Sequence, residues 1–491
     1  MHSHRVFLSN LAFVVERLVT KRRRGVASQL QRLAAAAAMM LFLYTASAPR
    51  AHAVPSYARQ TGLACSGCHY TPPELNPAGR RFKLLGYVDK GDQTATVKSE
   101  GTKTHAALDI LASLPLSVML DASFTSTKAP VPSTDPNAPG TTQNGSFELP
   151  QDISLFLSGA WTTHIGSFVQ VTYDTQDDHF SMDNTDIRYA NLTKLGGKEF
   201  VYGVDLNNNP TVEDLWNNTP AWGFPWIASD FAPTPNASPI INGGLAQDVG
   251  GIGVFGMWNN HLYLDAAIYR SQHIATTQPF TGAGSTFNIR GVAPYWRLAW
   301  QQSTGTTQYE IGTYGMHLRS TPNAITAPDG TRLPNQDSYT DWAVDTQIDR
   351  TIRRTDILSF RATYMRENND LLATLLQQNG ASQGSHHLNT VLANAEYHLG
   401  NKYTGTFGWF NTTGTSDIGL FPSGAVSGNF NGDPRGTGYI ANFTYWPWQN
   451  LLLGVQYTGY TRFNGAANNY DGAGRNANGN NTIYLDAKII F

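Results

Sequence analysis

The chain has 491 residues, a formal net charge of −2 and only 14 % charged residues, a balance that gives nucleic acid no basic face to bind. Beyond residue 53 no stretch approaches the ~18 uninterrupted apolar residues of a membrane-spanning helix, which excludes a helical membrane protein. The 46 Gly, 22 Tyr and 11 Trp instead suit turns, strands and interfacial aromatics.

The N-terminus reads as an export leader. Lys21-Arg22-Arg23-Arg24 is a basic run, Leu33 to Ala46 is a mostly apolar stretch too short to span a bilayer, and Ala51-His52-Ala53 is an A-x-A cleavage signal. Residues 1–53 are therefore expected to be a signal peptide, with the mature chain starting at Val54.

Cys65-Ser66-Gly67-Cys68-His69 follows, and these two cysteines are the only ones in the chain. C-x-x-C-H is the attachment motif for haem c: each thiol bonds one vinyl group and the adjacent His reaches the iron. A zinc site would need further Cys or His at matching spacing, and a thioredoxin-like pair would need a βαβ surround. The expected cofactor is thus one covalent haem c on Cys65, Cys68 and His69, with His69 as the proximal iron ligand. A segment over 54–110 is too small to bury a haem alone. Phe82, Tyr87 and Tyr70 are candidates to pack on the porphyrin, and Arg80, Arg81 and Lys83 to pair with its propionates. For the distal ligand the candidates are Met119, inward by strand parity, and His105. Met257 and His261 also point inward beside a turn.

From residue 111 to Phe491 a period of two takes over. Leu116, Val118, Leu120, Ala122 and Phe124 alternate with Ser117, Met119, Asp121, Ser123 and Thr125. At the other end Ile483, Leu485, Ala487, Ile489 and Phe491 alternate with Tyr484, Asp486, Lys488 and Ile490. Apolar outside and polar inside is the pattern of a membrane barrel wall. Strands are predicted over 116–126, 152–161, 165–174, 186–194, 198–206, 250–258, 261–270, 293–302, 308–318, 340–350, 356–366, 388–399, 402–412, 438–446, 451–462 and 481–491, about sixteen, an even number. The fold class is all-β: an outer-membrane antiparallel β-barrel of about 16 strands preceded by a small c-type cytochrome segment.

Short connections, such as 162–165, 259–260, 400–401 and 447–450, take turns with long polar ones. Short turns face the periplasm in such barrels and long loops face outward. That phase puts the haem segment on the periplasmic side and makes Asp177, Asp178, Asp183, Glu213 and Asp214 external acids. Trp161, Trp258, Trp300 and Trp446 are expected to form a periplasmic girdle. The longest loop, 207–249, carries Trp216, Trp222, Phe224 and Trp226 and either turns into the lumen or packs above the rim.

The segment Pro55-Ser56-Tyr57-Ala58-Arg59-Gln60, Cys65 to His69, Pro73-Glu74-Leu75-Asn76-Pro77, Gly79-Arg80-Arg81-Phe82-Lys83 and Gly86-Tyr87 resembles the fused monohaem cytochrome c–porin family. Some of that family are outer-membrane Fe(II) oxidases. The resemblance covers the whole mature chain in the order of its parts and is motif-specific over Pro55–Tyr87. It implies single-electron transfer from an extracellular donor, Fe(II) among the options, through one haem to a periplasmic electron-carrier cytochrome, in a protein held in outer-membrane lipid. The alternatives are a diffusion porin with a haem-bearing structural plug or redox sensor, and a haem enzyme such as a peroxidase with an open iron. No Walker loop, H-E-x-x-H or G-x-S-x-G motif supports a hydrolase.

Overall fold

The computed structural model describes residues 56–88, 96–97, 110–111, 115–132, 142–175, 178–272, 287–322, 335–376 and 380–491. The expected signal peptide and His105 lie outside them. Among the described residues no helix is long and apolar enough to cross a membrane.

Sixteen long strands form one closed antiparallel barrel. They are β1 Leu116–Thr127, β2 Ser146–Ala160, β3 Ile165–Asp174, β4 His179–Leu195, β5 Lys198–Asn207, β6 Val249–Trp258, β7 Leu262–Ser271 and β8 Ala293–Thr304. Then come β9 Thr307–Pro322, β10 Asp337–Thr351, β11 Ile357–Leu371, β12 Ser385–Leu399, β13 Tyr403–Gly414, β14 Gly436–Trp448, β15 Leu451–Arg462 and β16 Thr482–Ile490. Each pairs with its sequence neighbours, and β16 closes on β1 through Asp486↔Ser123 and Leu485↔Phe124. Closure matters because a bilayer core offers no water to satisfy an open sheet edge.

The alternation sets the two faces as predicted. Leu116, Leu120, Ile483 and Leu485 are exposed outward, whereas Ser117, Asp121, Ser123, Tyr484 and Asp486 are buried inward. All sixteen predicted strands exist. Two begin six or more residues earlier than predicted, β2 at Ser146 and β4 at His179. Asp183 consequently lies on β4 with its side chain in the lumen rather than in an outer loop.

The tryptophan girdle holds in part. Trp258 and Trp300 are exposed outward beside the short turns. Trp446 is not part of it. It is in phase with buried Asn442 and Thr444 and so points inward, against Cys65 and Leu452. A register shift between Tyr445 and Trp448 then turns Trp448 outward in its stead.

Candidate functional site

The C-x-x-C-H turn stands inside the barrel, and two segments that are not wall hold it there. The first is the plug, residues 56–88. It has two short helices, α1 Ser56–Thr61 and α2 Pro77–Leu84, with a 3₁₀ turn at Cys65–Gly67 between them. Asn76 caps α2 by accepting from the Ala78 and Gly79 amides, and Pro77 takes the first helical position, where its missing N–H does no harm. The Asn76 side-chain amide donates back to the carbonyls of Ser66 and Gly67, tying the cap to the C-x-x-C turn. Gly79 is obligatory for that packing, because a Cβ there would stand 2.2 Å from the Cys68 carbonyl oxygen.

The plug meets the wall around the ring, near the short turns. The Ser56 amide donates to Ser117 Oγ on β1 (2.6 Å), Tyr57 to the Ser167 carbonyl on β3 (2.6 Å) and Tyr87 to Asp186 on β4 (2.5 Å). Arg81 pairs with Glu199 on β5 (2.8 Å), Arg80 with Asp349 on β10 (3.0 Å) and Glu74 with Arg361 on β11 (2.8 Å). Leu84 and Leu85 pack with Met257, Tyr263 and Ala299 of β6 to β8. Cys65 reaches Trp446 and Leu452 of β14 and β15.

The second segment is the β5–β6 connection, residues 208–248, which turns into the lumen. Its Asp214 pairs with Arg297 on β8 at 3.0 Å, and Asn218 donates to Glu310 on β9 at 2.8 Å. The amides of Ile240 and Ile241 donate to Glu367 and Asp341, and the Asn236 amide to Asn464 beyond β15. Glu213 and Asp214 are buried within the barrel, not displayed outside as the alternation of loop lengths suggested. A charged residue buried this way needs a partner, and Arg297, serving Asp214, Glu310 and Asp345 together, is a partner that the sequence does not announce.

Plug and inturned loop touch. The Leu75 amide donates to Asn217 Oδ1 (2.6 Å), and Lys83 donates to the carbonyls of Val212 and Asp214 (2.5 and 2.7 Å) while lying 4.6 Å from the Trp222 ring centre. Burial drives the Lys83 ammonium down to about 7, against the pull of Asp186 and Asp214. Between the two segments lies a cavity of about 650 Å³. Cys65, Cys68 and His69 line it, with Tyr57, Phe82, Tyr87, Phe156, Phe168, Trp222 and Trp226 as its aromatic walls and Met119 on its β1 side.

Within the motif the two cysteines form no disulfide with each other, and Cys65 Sγ donates to the Gln449 carbonyl at 3.5 Å. Burial holds the Cys65 thiol up at about 11. His69 Nδ1 is 3.2 Å from the Glu74 carbonyl oxygen, which can only accept, so Nδ1 carries the proton and Nε2 keeps its lone pair. Burial also lowers the His69 pKa, which favours the neutral, metal-binding ring.

The residues singled out in the sequence fall in different places. Phe82 and Tyr87 line the cavity, but Tyr70 packs at a tilt against the His398 ring instead, with centroids 5.4 Å apart. Arg80 and Arg81 are committed to carboxylates of the wall rather than free for propionates. Met119 is brought to the cavity, whereas Met257 is core beneath α2, and His261 Nδ1 lies against the Gln301 carbonyl in its own turn. Asn76 and Gly79 were quoted only as part of the motif-like segment, and their roles as cap and close approach emerge from the structure. Trp222 and Asn217 were hidden in a loop that carries no periodic signal.

No protein-family model matches the chain, and no curated protein does. Among solved structures it is similar to the OmpF porin of Salmonella typhi in complex with daunomycin, at 13 % identity and TM-score 0.44, over 77 % of this chain and 97 % of that one. It is also similar to the DcaP channel of Acinetobacter baumannii, at 12 % and 0.42 over 81 % and 100 %, and to the anion-selective porin of Comamonas acidovorans, at 10 % and 0.42 over 77 % and 98 %. The assignment of fold rests on the strand pairing itself.

Proposed function

We propose that this protein is an outer-membrane electron conduit. In this reading one haem c, bonded to Cys65 and Cys68 and ligated by His69, takes single electrons from an extracellular donor and passes them to a periplasmic cytochrome. The carrying observation is that the only C-x-x-C-H motif of the chain lines a cavity with aromatic walls inside a membrane barrel, with His69 Nδ1 held by the Glu74 carbonyl. The residues fit the group. Two cysteines not joined in a disulfide line the cavity with an oriented imidazole, and a volume of about 650 Å³ is within the ~300–1,000 Å³ of ordinary cofactor pockets.

Bound haem supplies one-electron chemistry, and the protein's own groups do the rest. The Glu74 carbonyl fixes the His69 tautomer. Tyr57, Phe82 and Trp222 would give the group apolar packing surface, and Met119 offers a thioether from the wall. A Met opposite a His raises the potential relative to two His, which suits a weakly reducing donor such as Fe(II). The plug and the inturned loop together occupy the lumen, which supports electron rather than solute passage.

Stopped-flow mixing of the purified protein with Fe(II) should reduce the haem band, and intact cells should reduce it with a donor that cannot cross the membrane. Failure of every impermeant donor would sink the conduit, and solute flux through the protein in liposomes would favour a diffusion porin with a haem-bearing plug. Met119→Ala should move the haem spectrum toward high spin, while Met365→Ala, in a separate apolar cluster with Tyr269 and Tyr314, should leave it unchanged. An unaltered Met119→Ala spectrum removes that ligand.

A further inference from the structure

On the side of the plug away from the cavity, Glu74 meets the wall at two residues of β12, Glu396 and His398. All three are buried, at 0 %, 1 % and 1 % exposure. Arg361 Nη1 binds one oxygen of each carboxylate, Oε1 of Glu74 at 2.8 Å and Oε1 of Glu396. That leaves both Oε2 atoms turned toward His398 Nε2, at 3.7 Å from Glu74 and 4.0 Å from Glu396. These separations are too long for hydrogen bonds, and His398 Nε2 has no hydrogen-bond partner although it is sealed from water. A buried imidazole nitrogen aimed at two carboxylate oxygens and bonded to neither needs an explanation.

We infer that Glu74 Oε2, Glu396 Oε2 and His398 Nε2 form a binding site for a divalent d-block cation that ties the plug to the barrel wall. Two donors each ~2.1 Å from one ion stand up to ~4.2 Å apart, so the observed 3.7 and 4.0 Å suit a shared ion where they do not suit direct contact. All three donor atoms lie within 4.8 Å of one another. The imidazole is already oriented as a ligand, because its Nδ1 is held by Thr404 Oγ1 at 2.9 Å, with Thr71 Oγ1 of the plug at 3.5 Å. Thr406 supports Glu396 Oε2 at 3.4 Å.

The local charge also calls for a cation. Three carboxyl groups, of Glu74, Glu396 and Asp349, meet only two guanidinium groups, of Arg361 and Arg80, so a bound cation would compensate the third when all are ionised. One imidazole with two carboxylates selects ions such as Zn²⁺, Fe²⁺ or Mn²⁺ over softer or purely oxygen-seeking ones. The site joins two parts of the chain more than 300 residues apart, Glu74 and His398.

The test uses the full-length protein purified from membranes in detergent, stripped with a chelator and dialysed against Zn²⁺ with its metal content measured. The wild type should keep a single tightly held ion. His398→Gln and Glu396→Gln should bind it at least tenfold more weakly, while His386→Gln, a buried histidine paired with Asp417 elsewhere, should bind as the wild type does. X-ray absorption at the zinc edge of the wild type should show only nitrogen and oxygen neighbours at ~2.0–2.2 Å, and it decides the matter even if a variant does not fold. A wild type that retains no stoichiometric zinc overturns the site, as does binding unchanged in both β12 variants. Sulfur neighbours at ~2.3 Å would do so too, by moving the ion to Cys65 and Cys68.

Discussion

The wall and the plug of this molecule hold their shapes by different means. Each wall strand is fixed by two neighbours through backbone ladders that close from β1 round to β16 and back, with a few local register shifts. The plug has one six-residue helix, one eight-residue helix and a single 3₁₀ turn, and most of what fixes it belongs to the wall. Backbone pairing tolerates many side-chain changes, whereas a segment held by side chains depends on each of them. The part that carries the chemistry is thus also the part with least structure of its own.

The sharpest way to break the comparison is Cys65→Ala with Cys68→Ala. Covalent haem staining of the denatured chain should be lost completely while the barrel still shows the heat-dependent gel shift of a folded porin-like wall. Retained staining would remove the attachment site. Next in size is a pair within the plug. Arg80 and Asp349 are almost fully buried, so Arg80→Met leaves an unpaired carboxylate and should cost about 3–5 kcal/mol of plug docking. The Arg81–Glu199 pair is 42 % and 38 % exposed, and Arg81→Ala should cost about 0–1 kcal/mol. Limited proteolysis of the plug in the intact barrel reads both, and equal protection would mean that the wall does not hold it.

The corresponding test of the wall is Leu485→Arg against Asp486→Asn. The first sends charge into lipid and should cost about 2–4 kcal/mol near the midplane. The second changes only a lumenal surface and should cost less in urea refolding into vesicles. Similar losses would reverse the assigned faces. The smallest effect is kinetic. In protein made without haem attachment, Cys65 should alkylate slowly at pH 8 and faster as pH approaches about 11, because its raised pKa keeps the thiol protonated below that value. A rate already at its plateau by pH 9 would contradict the burial.

How far the sequence could be read follows the same division. The strands were legible throughout because lipid on one side and water or plug on the other impose a period of two on residues such as Leu485 and Asp486. Legibility failed where the wall extends past the apolar band. β4 begins with Phe180 and Met182 alternating with Ser181 and Asp183, but the polar run Asp183-Asn184-Thr185-Asp186 and a register shift then interrupt the pattern, and β2 begins across Pro150, which reads as a break. The haem-type motif stood out because its residues and spacing are rare together. Its surroundings did not. Trp222, Asn217, Arg361 and His398 reach the site from a loop and from strands far along the chain, and no local pattern reports a contact of that range.

The burial of Cys65 bears on the order in which the protein can be made. Its side chain is packed against Trp446 and Leu452, residues that arrive only when the β14–β15 hairpin near the end of the chain has formed. If haem is bonded to that sulfur, the bonding enzyme has to act before the C-terminal strands seal the barrel, while the N-terminal segment is still an open peptide in the periplasm. Cofactor loading would then precede membrane insertion, and a chain that missed its haem would carry the defect into the membrane with no later chance to repair it.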